Sequence, residues 1–411
     1  MPSRQIVVSE PGRYLLSASF EAGQWPFTPL IVSCGGQTRS IQIPATGRYL
    51  LQVTSPEIRI DVPGAGRIEA RPIRIRDWPF LLRNSRPQDH FSVPLEGATL
   101  TPLLRWRGRE ATALLRTLRQ LAGWGFSVPS DSLQLTLERQ WRAAEGEEEG
   151  GTPTPGGYNT AIVLHLHYRE LWPEFEAVFA RIREPFALIV TLNEPDPALE
   201  RRVSDAFPRS KMIVYPNKGR DVGPFMQLLR DGHLDGFDIV CKLHGKRSGD
   251  SGPRAVLGAV WRWTLLRDLV GSAAVVREII ARFGEDPTIG MIGSRRFRLP
   301  NRYKQEPAAW GKNAETVSRL AARLGLPPEA VKLDYFAGTM FWLRGDVLAV
   351  LKTLDLSLDD FSIENGTRDG ALEHALERLF GIAVGAAGLR IADIADGEIS
   401  NDQAAVPAGP L

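Results

Sequence analysis

Residues 217–248 read NKGRDVGPFMQLLRDGHLDGFDIVCKLHGKRS, and this stretch decides the fold. It holds two turns, Asn-Lys-Gly-Arg-Asp and Lys-Leu-His-Gly-Lys-Arg-Ser, each placed just after a short apolar run. The first follows residues 212–215. The second follows residues 237–241, a run bounded by turn residues that predicts a buried strand. Gly219 and Gly223 suit a close approach of backbone to ligand. An open α/β sheet binds ligands in the crevice beyond the carboxyl ends of its strands. Here those ends carry Lys218, Arg220, Lys242, Lys246 and Arg247, with Asp221 among them. Cations suit phosphate and a carboxylate suits sugar hydroxyls, so the stretch predicts a nucleotide-sugar site.

Around it, residues 158–398 alternate strand and helix patterns. Strands are predicted over 161–167, 187–192, 212–215 and 238–243, with helices over 172–183, from about Pro224, and over 260–283. Residues 336–342 read as one more buried strand. This is the doubly wound nucleotide-binding pattern. It lacks the GxGxxG and GxxxxGKS/T signatures, which argues against a dinucleotide oxidoreductase or a P-loop enzyme.

The preceding part differs in character. Residues 13–20, 30–34, 48–53, 58–62 and 67–76 are β-type segments separated by Gly and Pro, predicting an antiparallel β-sandwich over 1–78. Such a module is structural or interactive, or binds sugar through Trp25 or Phe27. Residues 79–157 read as a helical connector and linker. Leu114, Leu115, Leu118 and Leu121 share a helix face, with Arg109, Arg116 and Arg119 off its centre and Trp106 and Trp124 flanking. Such a helix docks on a neighbouring core or rests on anionic lipid. AAEGEEEGGTPTPGG at 143–157 predicts a flexible linker, and 399–411 a flexible tail.

At 411 residues more than one core is expected. Hydrophobic content of 43% and charged content of 24% are those of a globular protein, and the net charge of +2 offers no global field for nucleic acid. Cys34 and Cys241 sit far apart in apolar runs and read as reduced core thiols of a cytoplasmic protein. No signal peptide and no membrane-spanning run is read.

The segments IVLHLHYRELWPEF, NKGRDVGPF, FDIVCKLHGKRS, DPTIGMIG, WGKN, FAGTMFWLR and DGALEHALERLFG, in this order over 161–381, resemble the rhamnan synthesis protein F family. The resemblance implies a glycosyltransferase of bacterial rhamnan or O-antigen assembly, at the inner face of the cell membrane. It also implies a donor such as dTDP-rhamnose or GDP-rhamnose and a lipid-linked glycan acceptor, with contacts to the membrane or to other assembly enzymes. More weakly, the pattern resembles the GT-A fold. The expected architecture is therefore α/β: a GT-A-like domain preceded by a small all-β module and a helical connector.

In GT-A enzymes an Asp-x-Asp after a central strand holds Mg or Mn, whereas this chain has Lys242-Leu243-His244 there. Lys242, Lys246 and Arg247 are expected to balance the diphosphate in place of a metal. His244 reads as a phosphate contact, a metal ligand, or a histidine satisfied by turn backbone. His165 and His167, two apart, point to one strand face and with Tyr168 are candidates for base or ribose; no third ligand accompanies them for zinc. Thr191 is a further nucleoside candidate, and so is Asn193. In the first turn Asn217, Gly219, Arg220 and Asp221 are donor candidates, Arg220 on phosphate and Asp221 on sugar or simply at a helix start.

Gly338, Thr339 and Trp342 are candidates for the acceptor, Trp342 by stacking on a sugar or else by core packing. A carboxylate at the helix start near 369 lies where family-two enzymes keep their base. Asp369 is the first candidate and Glu364 the second, with Glu373 and Glu377 repeating on a solvated or Arg-paired face. The competing reading is a non-catalytic carbohydrate-binding or scaffold subunit. A phosphatase or nucleotidyltransferase is disfavoured, since no paired carboxylates end the strands.

Overall fold

The computed structural model describes residues 5–20, 27–34, 37–44, 46–54, 57–61, 66–79, 81, 93–95, 97–102, 157–245, 252–301, 304–363, 366, 369–395 and 398–401. The helix expected over 109–124, Trp25, and the candidates Lys246, Arg247 and Glu364 lie outside these residues. Chain contacts divide the protein into two units, residues 1–139 with 247–261 and 407–411, and residues 140–246 with 262–406.

The first unit holds two antiparallel sheets. One orders β1 (Gln5–Val8), β6 (Ile58–Asp61), β3 (Phe27–Cys34) and β4 (Gln37–Pro44) as β1-β6-β3-β4. The other orders β7 (Gly66–Pro72), β2 (Gly12–Phe20), β5 (Thr46–Val53), β9 (Ala98–Pro102) and β8 (Val93–Leu95) as β7-β2-β5-β9-β8. Buried residues of both, among them Leu16, Val32, Leu51, Ile60 and Leu100, form one cluster. β9 pairs onto β5 and β8 onto β9, so strands of this module continue past residue 78 into the span expected as a helical connector. Beyond Pro72 the chain leaves the sheet and turns as a short 3-10 segment, Ile75–Asp77.

The second unit is built on one large sheet. Its strands are β10 (Thr160–His165), β11 (Ala187–Leu192), β12 (Ser210–Val214), β13 (Ile239–His244), β14 (Ile289–Ser294), β17 (Phe341–Arg344), β18 (Arg390–Ala395) and β19 (Glu398–Ser400). A separate pair, β15 (Arg298–Leu299) with β16 (Tyr335–Phe336), stands outside it. The sheet order is β12-β11-β10-β13-β17-β14-β18-β19. β10 to β13 are mutually parallel, whereas β17 runs antiparallel between β13 and β14. β10 and β13 are buried along their whole length, which is why residues 161–164 and 239–241 read as short apolar runs.

The helices are α1 (Trp172–Phe179), α2 (Pro197–Ala206), α3 (Val222–Arg230), α4 (Gly252–Val270), α5 (Ala273–Glu285), α6 (Glu306–Trp310), α7 (Ala314–Arg323), α8 (Gly345–Lys352) and α9 (Leu372–Ala386). One face of the sheet packs Val163, Val240, Phe341 and Leu343 against α3, α8 and α9 in a single apolar cluster. The helix expected over 260–283 is two helices. A Cβ on Gly271 would lie 2.6 Å from the Arg267 carbonyl oxygen, and Ser272 accepts the Val275 N–H at 3.2 Å to start α5. The strand expected over 336–342 is likewise broken, by a turn at Gly338 and Thr339 with φ of 94° and 51°. Among the described residues no helix is long and apolar enough to cross a membrane.

Candidate functional site

From β10 the chain steps outward to β11 and β12, then returns to lay β13 on the other side of β10. The connections diverge here, so the carboxyl ends of β10 and β13 flank the switch point where such sheets bind ligands. His165 pairs in register with His244 across this point, and with Thr191 on β11. All three side chains are buried on one face.

The chemistry gathers on Asp221. Although it stands at the cap position of α3, its side chain does not cap that helix. It reaches instead toward β13, where Lys242 Nζ donates to Oδ2 at 2.5 Å and Thr339 Oγ1 donates to the same oxygen. Lys242 also donates to the Thr339 carbonyl at 3.0 Å and lies 5.5 Å from the Phe225 ring centroid. His244 Nε2 donates to the Gly338 carbonyl at 2.8 Å, leaving Nδ1 4.0 Å from Asp221 Oδ1. The Gly338 N–H in turn donates to Glu377 Oε1 at 2.7 Å. A threonine at positive φ is strained, and here it is held by bonds from both its carbonyl and its hydroxyl. Burial alone would raise the Asp221 carboxyl. His244, Lys242 and the Lys242 and Thr339 hydrogen bonds outweigh it and hold the group well below the usual carboxylate range.

These contacts correct several expectations. Lys242 is 1% exposed and already neutralised, so it is a buried structural cation and not a direct diphosphate partner. Trp342 is fully buried and donates its indole N–H to the Leu269 carbonyl at 3.0 Å, so it is core and cannot stack on a sugar. Gly219 and Gly223 make room for the protein itself: a Cβ would collide with the Phe361 ring at the first and with the Lys218 carbonyl at the second. His165 and His167 part company, because β10 ends at His165. His167 is exposed beyond it, 2.6 Å from Asn193 Oδ1, with its ring edge-on to Tyr168. Asp369 is not on the face of α9 either, since that helix starts at Leu372 after Gly370 at φ 90°.

Asp369 clamps a loop. Its Oδ2 accepts the Lys312 N–H at 3.0 Å and Oδ1 the Asn313 side-chain amide at 2.6 Å. Burial would raise its carboxyl, but the bonds from Asn313 and Lys312, with Arg378 and His374, bring it below its ordinary value. Asn217 is exposed at the edge. Arg220, at φ 54°, places Nη1 3.1 Å from His374 Nε2 and Nε 3.9 Å from Glu373 Oε1. His374 was not singled out from the sequence; it sits inside a leucine stripe that reads as packing. Burial and then Arg220 push its pKa down against Glu373, Glu377 and Asp369. Arg220 thus contacts this imidazole directly, while Asp369 acts on it through its charge.

The described residues do not build a carboxylate metal site. Asp221 has one oxygen taken by Lys242 and Thr339, and no three His, Cys, Asp or Glu converge to hold an ion. A cavity of about 480 Å³ opens elsewhere, at the amino edge of the sheet, between Tyr158, Phe237, Asp238 and Arg344.

His165 gives a pH test. Its Nδ1 lies 2.9 Å from Thr191 Oγ1, and burial, opposed by Asp221 and reinforced by His244, lowers its pKa to about 3. The unfolded chain takes up this proton near pH 6.5, and the folded chain does not until about 3. Stability is therefore lost as pH falls through that window, by ~1.4 kcal/mol per pH unit for one proton. His165→Asn should flatten the slope of unfolding free energy between pH 6 and 4 by up to that amount; an unchanged slope would show that His165 is not the group held neutral.

Comparison with known proteins adds the lineage. The family model described as rhamnan synthesis protein F matches residues 151–389, more than half of the chain. The chain belongs to that family. The rhamnan synthesis protein F match takes in every described residue of the Asp221 cluster and both strands of the switch point. Two proteins named uncharacterized protein WxcX, from two strains of Xanthomonas campestris pv. campestris, are each 28% identical over 343 residues. The match covers 80% of this chain and 44% of theirs, so the chain spans less than half the length of these curated relatives. Among solved structures, the mannosyltransferase PcManGT from Pyrobaculum calidifontis, in complex with GDP-Man and Mn2+, is 12% identical with a TM-score of 0.28. That match covers 58% of this chain and 57% of that one. Glucosyl-3-phosphoglycerate synthase from Mycobacterium tuberculosis, in complex with phosphoglyceric acid, is 15% identical with a TM-score of 0.21, over 64% of this chain and 87% of that one. Likenesses at this level carry no argument here.

Proposed function

We propose that this rhamnan synthesis protein F member is a GT-A-like glycosyltransferase. In this reading it transfers a sugar, rhamnose by its family, from a nucleotide donor to a lipid-linked glycan of a bacterial surface polysaccharide. The observation that carries the reading is the switch-point crevice, where His165, Thr191, Asp221, His244 and Thr339 converge beside the half-exposed Arg220. Positioning and fixed charge supply most of the acceleration in such a transfer, and a rigid buried network provides both.

Each group then has a task. His167, Tyr168 and Asn193 at the exposed rim take the nucleoside, and Arg220 takes the diphosphate, released from His374 as the anion arrives. Lys242 and Thr339 orient Asp221 through Oδ2, and Oδ1, beside His244 Nδ1, is the oxygen assigned to the sugar hydroxyls. Gly338 and Thr339 form the acceptor side of the turn. Asp369 is the carboxylate we assign to the acceptor hydroxyl. It is ionised at neutral pH, fixed by two donors, and keeps lone pairs on each oxygen. The same donors make it a weaker base than a free carboxylate.

Arg220→Ala should weaken binding of a nucleoside diphosphate by about 1–3 kcal/mol, the scale of a charged hydrogen bond. Calorimetry with dTDP and GDP reads it. Equal affinity in the variant for both would move the diphosphate out of this crevice.

A further inference from the structure

We propose that the turn at residues 74–78 of the first unit is an anchor for the surface of an anionic lipid bilayer. Ile75 is 88% exposed and Trp78 49% exposed, two apolar side chains left in water three positions apart. Arg74 and Arg76 beside them are exposed as well. Scattered surface apolar residues need no explanation, but these two stand on a tip that the protein holds rigid. Asp77 is buried beneath it and accepts both ends of the Arg71 guanidinium at 2.7 Å and the Arg74 N–H at 2.8 Å. On either side of the tip, Ile73 and Leu81 pack with Leu15 and Leu50, so both ends of the loop are stapled to the sheet. The Ile73 N–H also donates to the Arg13 carbonyl at 3.1 Å, closing its base.

The chemistry of the tip selects its occupant. Asp77 is neutralised by Arg71, which leaves Arg74 and Arg76 as exposed charge beside the apolar pair among the described residues. Tryptophan with flanking arginines suits the headgroup level of a bilayer, and each basic residue there is drawn to anionic lipid. A specific protein interface needs roughly 800 Å² per partner, far more than a turn of this size presents. The proposal goes beyond the transfer reading and does not depend on it.

Flotation of the full chain with vesicles, in the absence of any sugar donor, tests this anchor. Wild type should float with phosphatidylcholine vesicles containing phosphatidylglycerol, less so as salt is raised, and not with phosphatidylcholine alone. Changing Ile75→Ser with Trp78→Ser should weaken partition on the order of 100-fold, and Arg74→Gln or Arg76→Gln about five-fold each. Both pairs of side chains are exposed, so circular dichroism should match wild type. Wild type failing to float, either set of variants floating as wild type does, or binding indifferent to lipid charge would each overturn the proposal.

Discussion

Replacing Lys242 by Met is expected to destabilise the second unit by about 3–5 kcal/mol, the usual cost of stranding one member of a buried ion pair. Lys242 and Asp221 are 1% and 12% exposed in their side chains, and the ammonium satisfies both the carboxylate and the Thr339 carbonyl. Without it, Asp221 must keep an unpaired charge in a dry site or take up a proton. The loss falls on β13, on β17 beside it, and on the Gly338–Thr339 turn that joins β17 to β16. Hydrogen exchange of those amides therefore reads it without assuming that a chain of two units unfolds in one step. Adding Asp221→Asn to Lys242→Met should restore a large part of the loss, because both charges then leave together. A Lys242→Met protein as stable as wild type would show that this network is not what holds the turn.

Asp369→Asn is expected to lower turnover by about two to four orders of magnitude while leaving donor affinity nearly intact, the range for a positioned general base. The variant keeps the shape of the side chain and can still accept the Lys312 N–H, but its amide meets the Asn313 amide with one acceptor fewer. Some stability is lost with that bond, roughly 1 kcal/mol. Turnover is therefore compared well below the unfolding temperature, where a mere loop clamp would leave it close to normal. Near-normal turnover there would reduce Asp369 to that clamp.

Much of this arrangement was legible in the residues, and the failures have physical causes. The strands 187–192 and 239–244 announce themselves through the short apolar runs 187–190 and 239–241, as strands buried on both faces do. The break at Gly271 and the turn at Gly338 were missed for the converse reason: the flanking residues are apolar on both sides, so periodicity runs through them. Lys242 was read as a phosphate ligand because a lysine at a strand end is ordinarily solvated. Only the fold reveals that Asp221, 21 positions earlier, and Thr339, 97 positions later, meet it. The glycines of the Asn-Lys-Gly-Arg-Asp turn pointed to a tight approach, but the approach is by Phe361 and the Lys218 carbonyl, which no local spacing encodes. His374 was hidden by the leucines around it, and its signal is its place one turn before Arg378 beside two glutamates.

The central claim is that the crevice beyond the carboxyl ends of β10 and β13 holds a nucleotide sugar whose diphosphate leaves during transfer. Release of nucleoside diphosphate from a panel of nucleotide sugars that includes dTDP-rhamnose and GDP-rhamnose, with a polysaccharide fragment as acceptor, tests it most directly. The account predicts acceptor-dependent release from at least one donor by wild type, and a marked fall for Arg220→Ala and Asp369→Asn. No release above buffer from any donor, or release that both variants retain in full, would contradict it.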